Sequence, residues 1–141
     1  MSHPNTIDGQ CICGSVRYRV RENMAAFKLC YCSFCQKASG SAHVANAFTT
    51  PDQIEWLEGK NMLTTFDVPN SQVRRVFCRN CGTTLPFETQ NGKILIVPVG
   101  SLSCPPSQPV KAIVGWSSRP AWYGEALGLI EETCNAERVA Q

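Results

Sequence analysis

The sequence predicts a mostly β protein with little helix, and the pattern of short apolar segments supports this fold class. The segment SVRYRVR at 15–21 alternates the apolar residues Val16, Tyr18 and Val20 with arginines, which is the period of a strand with one buried face. Further short segments rich in β-branched and aromatic residues follow along the chain, separated by Gly, Pro, Asn and Ser. Helical patterns are scarce.

The other predicted elements are short. The strand candidates, in chain order, are AFKLCYC (26–32), AHVANAF (42–48), MLTTFDV (62–68), VRRVF (73–77), TLPFE (84–88), KILIVPV (93–99) and KAIVGW (111–116). A single helical turn is predicted over 50–56, where Thr50 is a capping residue and Pro51 occupies the first helical position. A C-terminal helix is predicted over 123–139, although two glycines lower its propensity.

Size and charge restrict the organisation and the partners. A chain of 141 residues fits a single domain over 1–141, which buries roughly 70% of the surface of the unfolded chain. A net charge of +2 with both signs scattered does not favour nucleic acid or an anionic membrane as a partner. The start, MSHPNTIDGQ, lacks a signal-peptide pattern, and the apolar run at 94–99 is too short to span a bilayer. We therefore expect a soluble cytoplasmic protein, with its oligomeric state left open.

The chain contains nine cysteines, which is many for a protein of this size. A disulfide framework would be expected in an oxidising compartment, whereas clustered thiols in a reducing one usually bind metal. Because no secretion signal is present, zinc is the favoured interpretation and disulfides are the alternative. Cys104 and Cys134 stand apart from the others and are expected to be packing residues. His43 is expected to be an ordinary strand residue and not a fourth metal ligand.

The remaining seven cysteines form groups with the spacing of metal ligands. They are Cys11 and Cys13; Cys30, Cys32 and Cys35; and Cys78 and Cys81. In a strand, residues i and i+2 share a face, so each C-x-C pair can aim two thiolates at one ion. The C-x-x-C turn of CRNCG brings two sulfurs together at a tight bend. The spacing alone allows either a group of Cys11, Cys13, Cys78 and Cys81 or one that pairs Cys11 and Cys13 with Cys30 and Cys32.

Four blocks of the sequence resemble, in order and spacing, the GFA/CENP-V family of glutathione-dependent formaldehyde-activating enzymes. The blocks are GQCICGSVRYRV (9–20), CYCSFCQKASGS (30–41), RRVFCRNCGTTL (74–85) and PVGSLS (98–103). The resemblance covers roughly residues 8–123, and it implies several small coiled β-sheets organised around a structural zinc site.

The resemblance also implies a division of the cysteines into two zinc sites. Cys11, Cys13, Cys78 and Cys81 match the ligands of the structural zinc. Cys30, Cys32 and Cys35 match those of a second zinc that keeps its fourth position open. The implied activity is that of a carbon–sulfur lyase of the S-hydroxymethylglutathione synthase type, in which glutathione adds to formaldehyde or another small aldehyde.

Several further residues are candidates for roles in that reaction. A thiol placed at the open position would lose its proton and become nucleophilic, and the developing alkoxide would need a proton or a hydrogen-bond donor. Tyr31, Ser33 and Ser39 lie near the cluster in sequence and carry hydroxyl groups. The cations that could bind the carboxylates of glutathione are Lys37, Arg74 and Arg75.

The sequence also allows three other functions. Many relatives carry His, Asp and His where this chain has Tyr31, Ser103 and Ile113 or a neighbour, which motivates a noncatalytic module that binds zinc and thiols. A zinc ribbon for nucleic acid would rest on the arginines of RRVFCRN, but the low net charge disfavours it. A redox sensor would oxidise two thiols of the three-cysteine group and release the metal.

Overall fold

The computed structural model describes residues 5–129, which form three small β-sheets and two short helices. The strands are β1 (Thr6–Gln10), β2 (Arg17–Arg21), β3 (Ala26–Cys30), β4 (Val44–Thr49), β5 (Ile54–Glu58), β6 (Leu63–Asp67), β7 (Arg74–Cys78), β8 (Phe87–Glu88), β9 (Leu95–Pro98) and β10 (Ala112–Val114). The helices are α1 (Ser33–Ser39) and α2 (Ala121–Ala126). The predicted fold class, mostly β with several small sheets, is confirmed.

The sheets differ in size and in strand direction. One has the order β1-β2-β5, the second is the β6-β7 hairpin, and the largest has the order β10-β3-β4-β9-β8. Adjacent strands are antiparallel except β10 and β3, which run parallel with Val114 beside Cys30. This parallel pair brings the chain that follows β10 to the end of β3, where the three-cysteine group begins.

Strand β2 has the two faces that its sequence predicts. Tyr18 and Val20 are fully buried, as is Val16 just before the strand, while the intervening arginines are exposed. The buried face contacts side chains from the other two sheets, among them Val76 of β7 and Val97 of β9. The apolar core therefore lies where the three sheets meet.

Two of the predicted metal ligands belong to this core. Cys11 and Cys78 are almost completely buried and are part of the same hydrophobic cluster as Val16 and Leu85. The four-cysteine group is thus located at the edge of the core, which is where a structural site can join separate sheets.

The predicted helical turn over 50–56 is correct only in its first half. A 3-10 turn occupies Pro51–Gln53, and the chain then becomes strand β5, which pairs with β2. The β-branched and aromatic residues Ile54 and Trp56 fit this pleated surface better than a helix, because both pack against the core. The predicted turn should therefore have ended at Gln53.

Helix α1 is absent from the sequence prediction, which continued the preceding strand to Cys32. The strand ends at Cys30, and Cys32 caps the helix by accepting a hydrogen bond at its Sγ from the backbone N–H of Cys35. Gly40 ends the helix in the left-handed conformation. Cysteine is an uncommon capping residue, so the usual signal for a helix start is missing here.

The other differences lie at strand and helix ends. Strand β1 is not evident in the sequence because TIDGQ has little β character. In the predicted strand over 84–88, only Phe87–Glu88 is strand, and Thr84 forms an isolated bridge to Phe77. Of the helix predicted over 123–139, the structure has α2 ending at Ala126, and the part from residue 130 onward lies outside the described residues.

None of the helices within residues 5–129 combines the length and the apolar character that a membrane-spanning helix needs.

A close backbone contact joins the ends of β2 and β5. Gly59 has φ +77°, and a Cβ atom added there would overlap the carbonyl oxygen of Ser15. Gly92 has a similar φ of +73°, but its nearest neighbour would be the Glu88 side chain at 3.8 Å. A side chain at position 59 would therefore meet both a backbone clash and the strain of a positive φ, whereas one at position 92 would meet the strain alone.

We predict that Gly59→Ala lowers the free energy of unfolding by about 3 kcal/mol, because it adds a backbone clash to the strain of a positive φ. The matched control Gly92→Ala carries the strain alone and should cost about 1 kcal/mol. Urea unfolding of both variants with the same metal supplement measures the difference. Equal losses would show that the approach to Ser15 is not tight.

Candidate functional site

The structure brings Cys11, Cys13, Cys78 and Cys81 together in one cluster. Their Sγ atoms all lie within 4.8 Å of one another, and the distance is 3.6 Å from Cys11 to Cys13 and 3.8 Å from Cys13 to Cys78. Four thiolates at about 2.3 Å from a tetrahedral zinc ion would be about 3.8 Å apart. The donor set and its spacing therefore fit a closed metal site.

Two turns carry these ligands and contact each other. Cys11 and Cys13 lie in the connection from β1 to β2, whereas Cys78 ends β7 and Cys81 lies in the turn after it. The hydroxyl of Thr83 accepts a hydrogen bond from the backbone N–H of Ile12 at 2.9 Å and lies 3.2 Å from the Sγ of Cys81. The second turn is thus fastened to the first even without the sulfur atoms.

The four thiols have different electrostatic environments. Burial raises the pKa of Cys11 to about 11. The hydroxyl of Ser15 and the side chain of Asn80 lower the pKa of the exposed Cys13 to about 5. Thr83 lowers the pKa of Cys81 to about 7. The outer ligands of the cluster therefore readily form thiolates, while Cys11 needs a bound cation to do so.

Cys30, Cys32 and Cys35 form a second cluster, with Sγ atoms within 4.8 Å of one another. Cys30 ends β3, Cys32 caps α1, and Cys35 lies in the first turn of the helix. All three are partly exposed, in contrast to the buried Cys11 and Cys78. Among the described residues this cluster has three sulfur ligands and no fourth, which leaves one position of a tetrahedral ion for an exogenous group.

Nearby groups shift the pKa values of two thiols in this cluster. Partial burial disfavours the Cys32 thiolate, but hydrogen bonds from Cys35, from the Cys30 thiol and from the Phe34 N–H together outweigh it and lower the pKa of Cys32. Burial raises the pKa of Cys35. The half-buried Arg75 donates to the carbonyl of Ala38 at 3.3 Å, so a cation lies against α1.

The loop after β10 forms one wall of the three-cysteine cluster. A Cβ atom on Gly115 would lie 3.0 Å from the backbone nitrogen of Cys32, so the loop touches the helix cap. Tyr31, between two of the ligands, stacks on His43 at 4.9 Å and meets Trp116 edge to face at 5.1 Å between ring centroids. The wall is therefore aromatic and packed.

A family model agrees with this arrangement. The model described as glutathione-dependent formaldehyde-activating enzyme matches residues 6–117, which include both cysteine clusters. This chain belongs to that family.

Two individual proteins also resemble this family member. An uncharacterised lyase of Schizosaccharomyces pombe is 30% identical over 88 residues, which cover 61% of this chain and 60% of the lyase. The chain therefore matches about three-fifths of the length of that relative. A crystal structure of a Rhodobacter sphaeroides protein superimposes with a TM-score of 0.60 at 22% identity, covering 76% of this chain and 99% of that one. It supports the fold alone.

Of the hydroxyl groups proposed for the reaction, the structure exposes the serines and buries the tyrosine. Tyr31 is 2% exposed, and its hydroxyl donates to the hydroxyl of Tyr123 at 3.1 Å. This hydrogen bond raises the pKa of Tyr31 to about 12. Ser33 is exposed in the first turn of α1, whereas Ser39 donates to the carbonyl of Cys35 at 2.9 Å.

The candidate cations fall in different places. Lys37 is exposed on α1. Arg75 lies against the same helix, as described above. Arg74 lies on the hairpin and forms a two-contact ion pair with Asp67, at 2.6 and 3.1 Å. Of the three, Arg74 already has a carboxylate partner.

A groove of about 650 Å³ lies beside the four-cysteine cluster. Its lining includes Asp8, Cys11, Thr84, Ser101 and Ser103. Ser103 comes from the late PVGSLS block, one of the four blocks that resemble the family. The three-cysteine group does not line this groove, although Thr84 accepts a hydrogen bond from Arg75 at 2.9 Å. Arg75 therefore contacts both Thr84 in this groove and helix α1, which carries Cys35.

We predict that Cys78→Ser loses the metal of the first cluster and lowers the free energy of unfolding by more than about 3 kcal/mol, because metal affinity at such a site is folding energy. Cys35→Ser should lose the second metal at a cost of only about 1 kcal/mol, because it does not join separate sheets. Elemental analysis of purified protein and urea unfolding measure both effects.

Cys104→Ser is the matched control for both variants, since Cys104 is exposed and outside the clusters. It should retain two metal ions per chain and the stability of the unchanged protein. A Cys78→Ser variant with the same metal content and stability as this control would contradict the structural role.

Proposed function

We propose that this protein is a zinc-dependent carbon–sulfur lyase that forms or cleaves the adduct of glutathione with formaldehyde or another small aldehyde. The observation that carries the proposal is the partly exposed three-cysteine cluster with a position left for an exogenous thiol. Membership of the family and the lyase name of the Schizosaccharomyces pombe relative support the reaction class.

The reaction has a simple balance. In the forward direction the thiol loses its proton, its sulfur forms a bond with the aldehyde carbon, and the carbonyl oxygen gains a proton. When bound at the three thiolates, zinc supplies a fourth coordination position and lowers the pKa of a thiol that occupies it. The residues of the chain must then orient the two reactants and handle the proton.

The three cysteines and their neighbours hold the reaction centre in place. The hydrogen bond from the Cys35 N–H to the Cys32 Sγ fixes the sulfur at the helix cap. Arg75 contacts the same helix through the carbonyl of Ala38. The contacts at the helix cap favour the thiolate of Cys32, whereas the buried thiol of Cys35 needs a bound cation to ionise.

The exposed hydroxyl of Ser33 is the proposed donor to the developing alkoxide. It lies between Cys32 and Cys35 in the sequence and has an open surface. Tyr31 fits this role less well, because its hydroxyl is engaged with Tyr123 inside the aromatic cluster. In our proposal Tyr31 supports the wall of the site instead.

A noncatalytic module that binds zinc and a thiol is the second candidate. The buried and hydrogen-bonded Tyr31 favours it, because a polar group is thereby withdrawn from the middle of the three-cysteine block. This alternative predicts glutathione binding without any acceleration of adduct formation.

We also propose a cytoplasmic location. All eight cysteines within residues 5–129 are free, which suits a reducing compartment.

We predict that zinc-loaded protein accelerates the interconversion of glutathione, formaldehyde and their adduct in proportion to protein concentration. Cys32→Ser should reduce the catalysed rate by more than about 100-fold, because it removes a metal ligand and the helix cap together. Exchange NMR of the equilibrium mixture measures the rate directly.

Cys104→Ser serves again as the control and should retain the full rate. Turnover that survives Cys32→Ser would refute the proposed site. A rate equal to the spontaneous one, combined with measurable glutathione binding, would instead favour the noncatalytic module.

A further inference from the structure

Arg119 is stacked on Trp116 at the edge of the three-cysteine site. The guanidinium carbon lies 4.3 Å from the centroid of the indole ring, and Nη1 donates to the carbonyl of Trp116 at 2.9 Å. Trp116 remains 43% exposed, so the pair faces open space. Arg119 keeps most of its capacity for hydrogen bonds, because only one of its five N–H groups is used within the described residues.

This pair is fixed to the cluster by several contacts. The side-chain amide of Gln36, next to Cys35 on α1, donates to the carbonyls of Tyr31 and Ser118, both at 2.8 Å. Gly115 meets the backbone of Cys32, as described above. The loop that carries Arg119 therefore keeps a constant position relative to the sulfur atoms.

The charge of Arg119 is not neutralised within residues 5–129. The ion pairs of this range engage Arg17, Arg19 and Arg74, each on a strand away from the site. Arg119 also lies beyond the segment matched by the family model, which ends at residue 117. Its position beside the cluster thus comes from the structure and not from the family pattern.

We propose that Arg119 binds a carboxylate of the thiol substrate and so determines which thiol the site accepts. The inference rests on the proposed function, in which glutathione brings its thiol to the three-cysteine cluster and carries two carboxylates. A guanidinium fork matches a carboxylate with two parallel hydrogen bonds. Stacking on Trp116 orders the side chain in advance, which lowers the entropy cost of binding.

The test compares glutathione with glutathione diethyl ester, in which both carboxylates are blocked. Isothermal titration calorimetry at low salt measures both affinities for zinc-loaded protein and for Arg119→Gln. The variant should bind glutathione about tenfold more weakly, the effect of one charge-assisted contact. Its affinity for the ester should equal that of the unchanged protein. Arg119→Lys keeps the charge but lacks the planar guanidinium group. Its affinity for glutathione should therefore lie between those of the unchanged protein and Arg119→Gln.

Arg21→Gln is the matched control, because Arg21 is an exposed arginine on β2, in a different sheet. It should leave both affinities unchanged. An equal loss for glutathione and its ester in Arg119→Gln would assign the residue a structural role and overturn the proposal. No loss for either ligand would also overturn it.

The outcomes also separate this inference from the proposed function. Catalysed adduct formation with unchanged glutathione affinity in Arg119→Gln would refute the carboxylate site and leave the lyase standing. Carboxylate-dependent binding that needs Arg119, without any catalysed rate, would support the site and refute the lyase. If unchanged protein binds neither ligand, both proposals fail.

Discussion

The separate sheets of this protein meet at the cluster of Cys11, Cys13, Cys78 and Cys81. It joins the sheet of β1, β2 and β5 to the β6-β7 hairpin through residues that lie 65 positions apart in the sequence. None of the three sheets is large, and small sheets hold little apolar surface of their own. Because Cys11 and Cys78 are also buried in the shared core, metal binding and core packing reinforce each other at this point.

The two cysteine clusters offer the same donor atoms in different surroundings. The first lies between two interlocked turns and has four sulfur atoms, so a metal ion there would be fully enclosed by protein ligands. The second lies at a strand-to-helix junction, where Cys32 is a candidate metal ligand and also the helix cap. A junction of this kind is at the surface, and its three partly exposed sulfur atoms leave room for a small molecule.

One wall of the three-cysteine site comes from a segment distant in sequence from the cysteines. Strand β10 pairs in parallel with β3. The loop that follows β10, which contains Gly115, Trp116 and Arg119, therefore begins beside Cys30 at the end of β3. The site therefore has sulfur ligands from one part of the chain and an aromatic and cationic wall from another. Changes in that wall can alter the accepted thiol without disturbing the ligands, which is how one fold serves several substrates.

The local sequence pattern predicts the strand periodicity and the candidate metal ligands of this protein. The alternation of Val16, Tyr18 and Val20 is a property of the strand itself, and the C-x-C and C-x-x-C spacings already limit which sulfurs can share an ion. The sequence alone therefore established the mostly β class and the candidate ligands, while the division into four and three came from family resemblance and is matched by the structure.

Several other features depend on contacts between residues that are distant in the chain. Strand β5 forms because β2 offers it an edge, and α1 begins at a cysteine because the cluster holds Cys32 in place. The burial of Tyr31 against Tyr123 and the contact of Gln36 with the loop at Ser118 join segments that are 92 and 82 residues apart. Such contacts leave no periodic signal in the sequence, since each depends on the path of the chain between them.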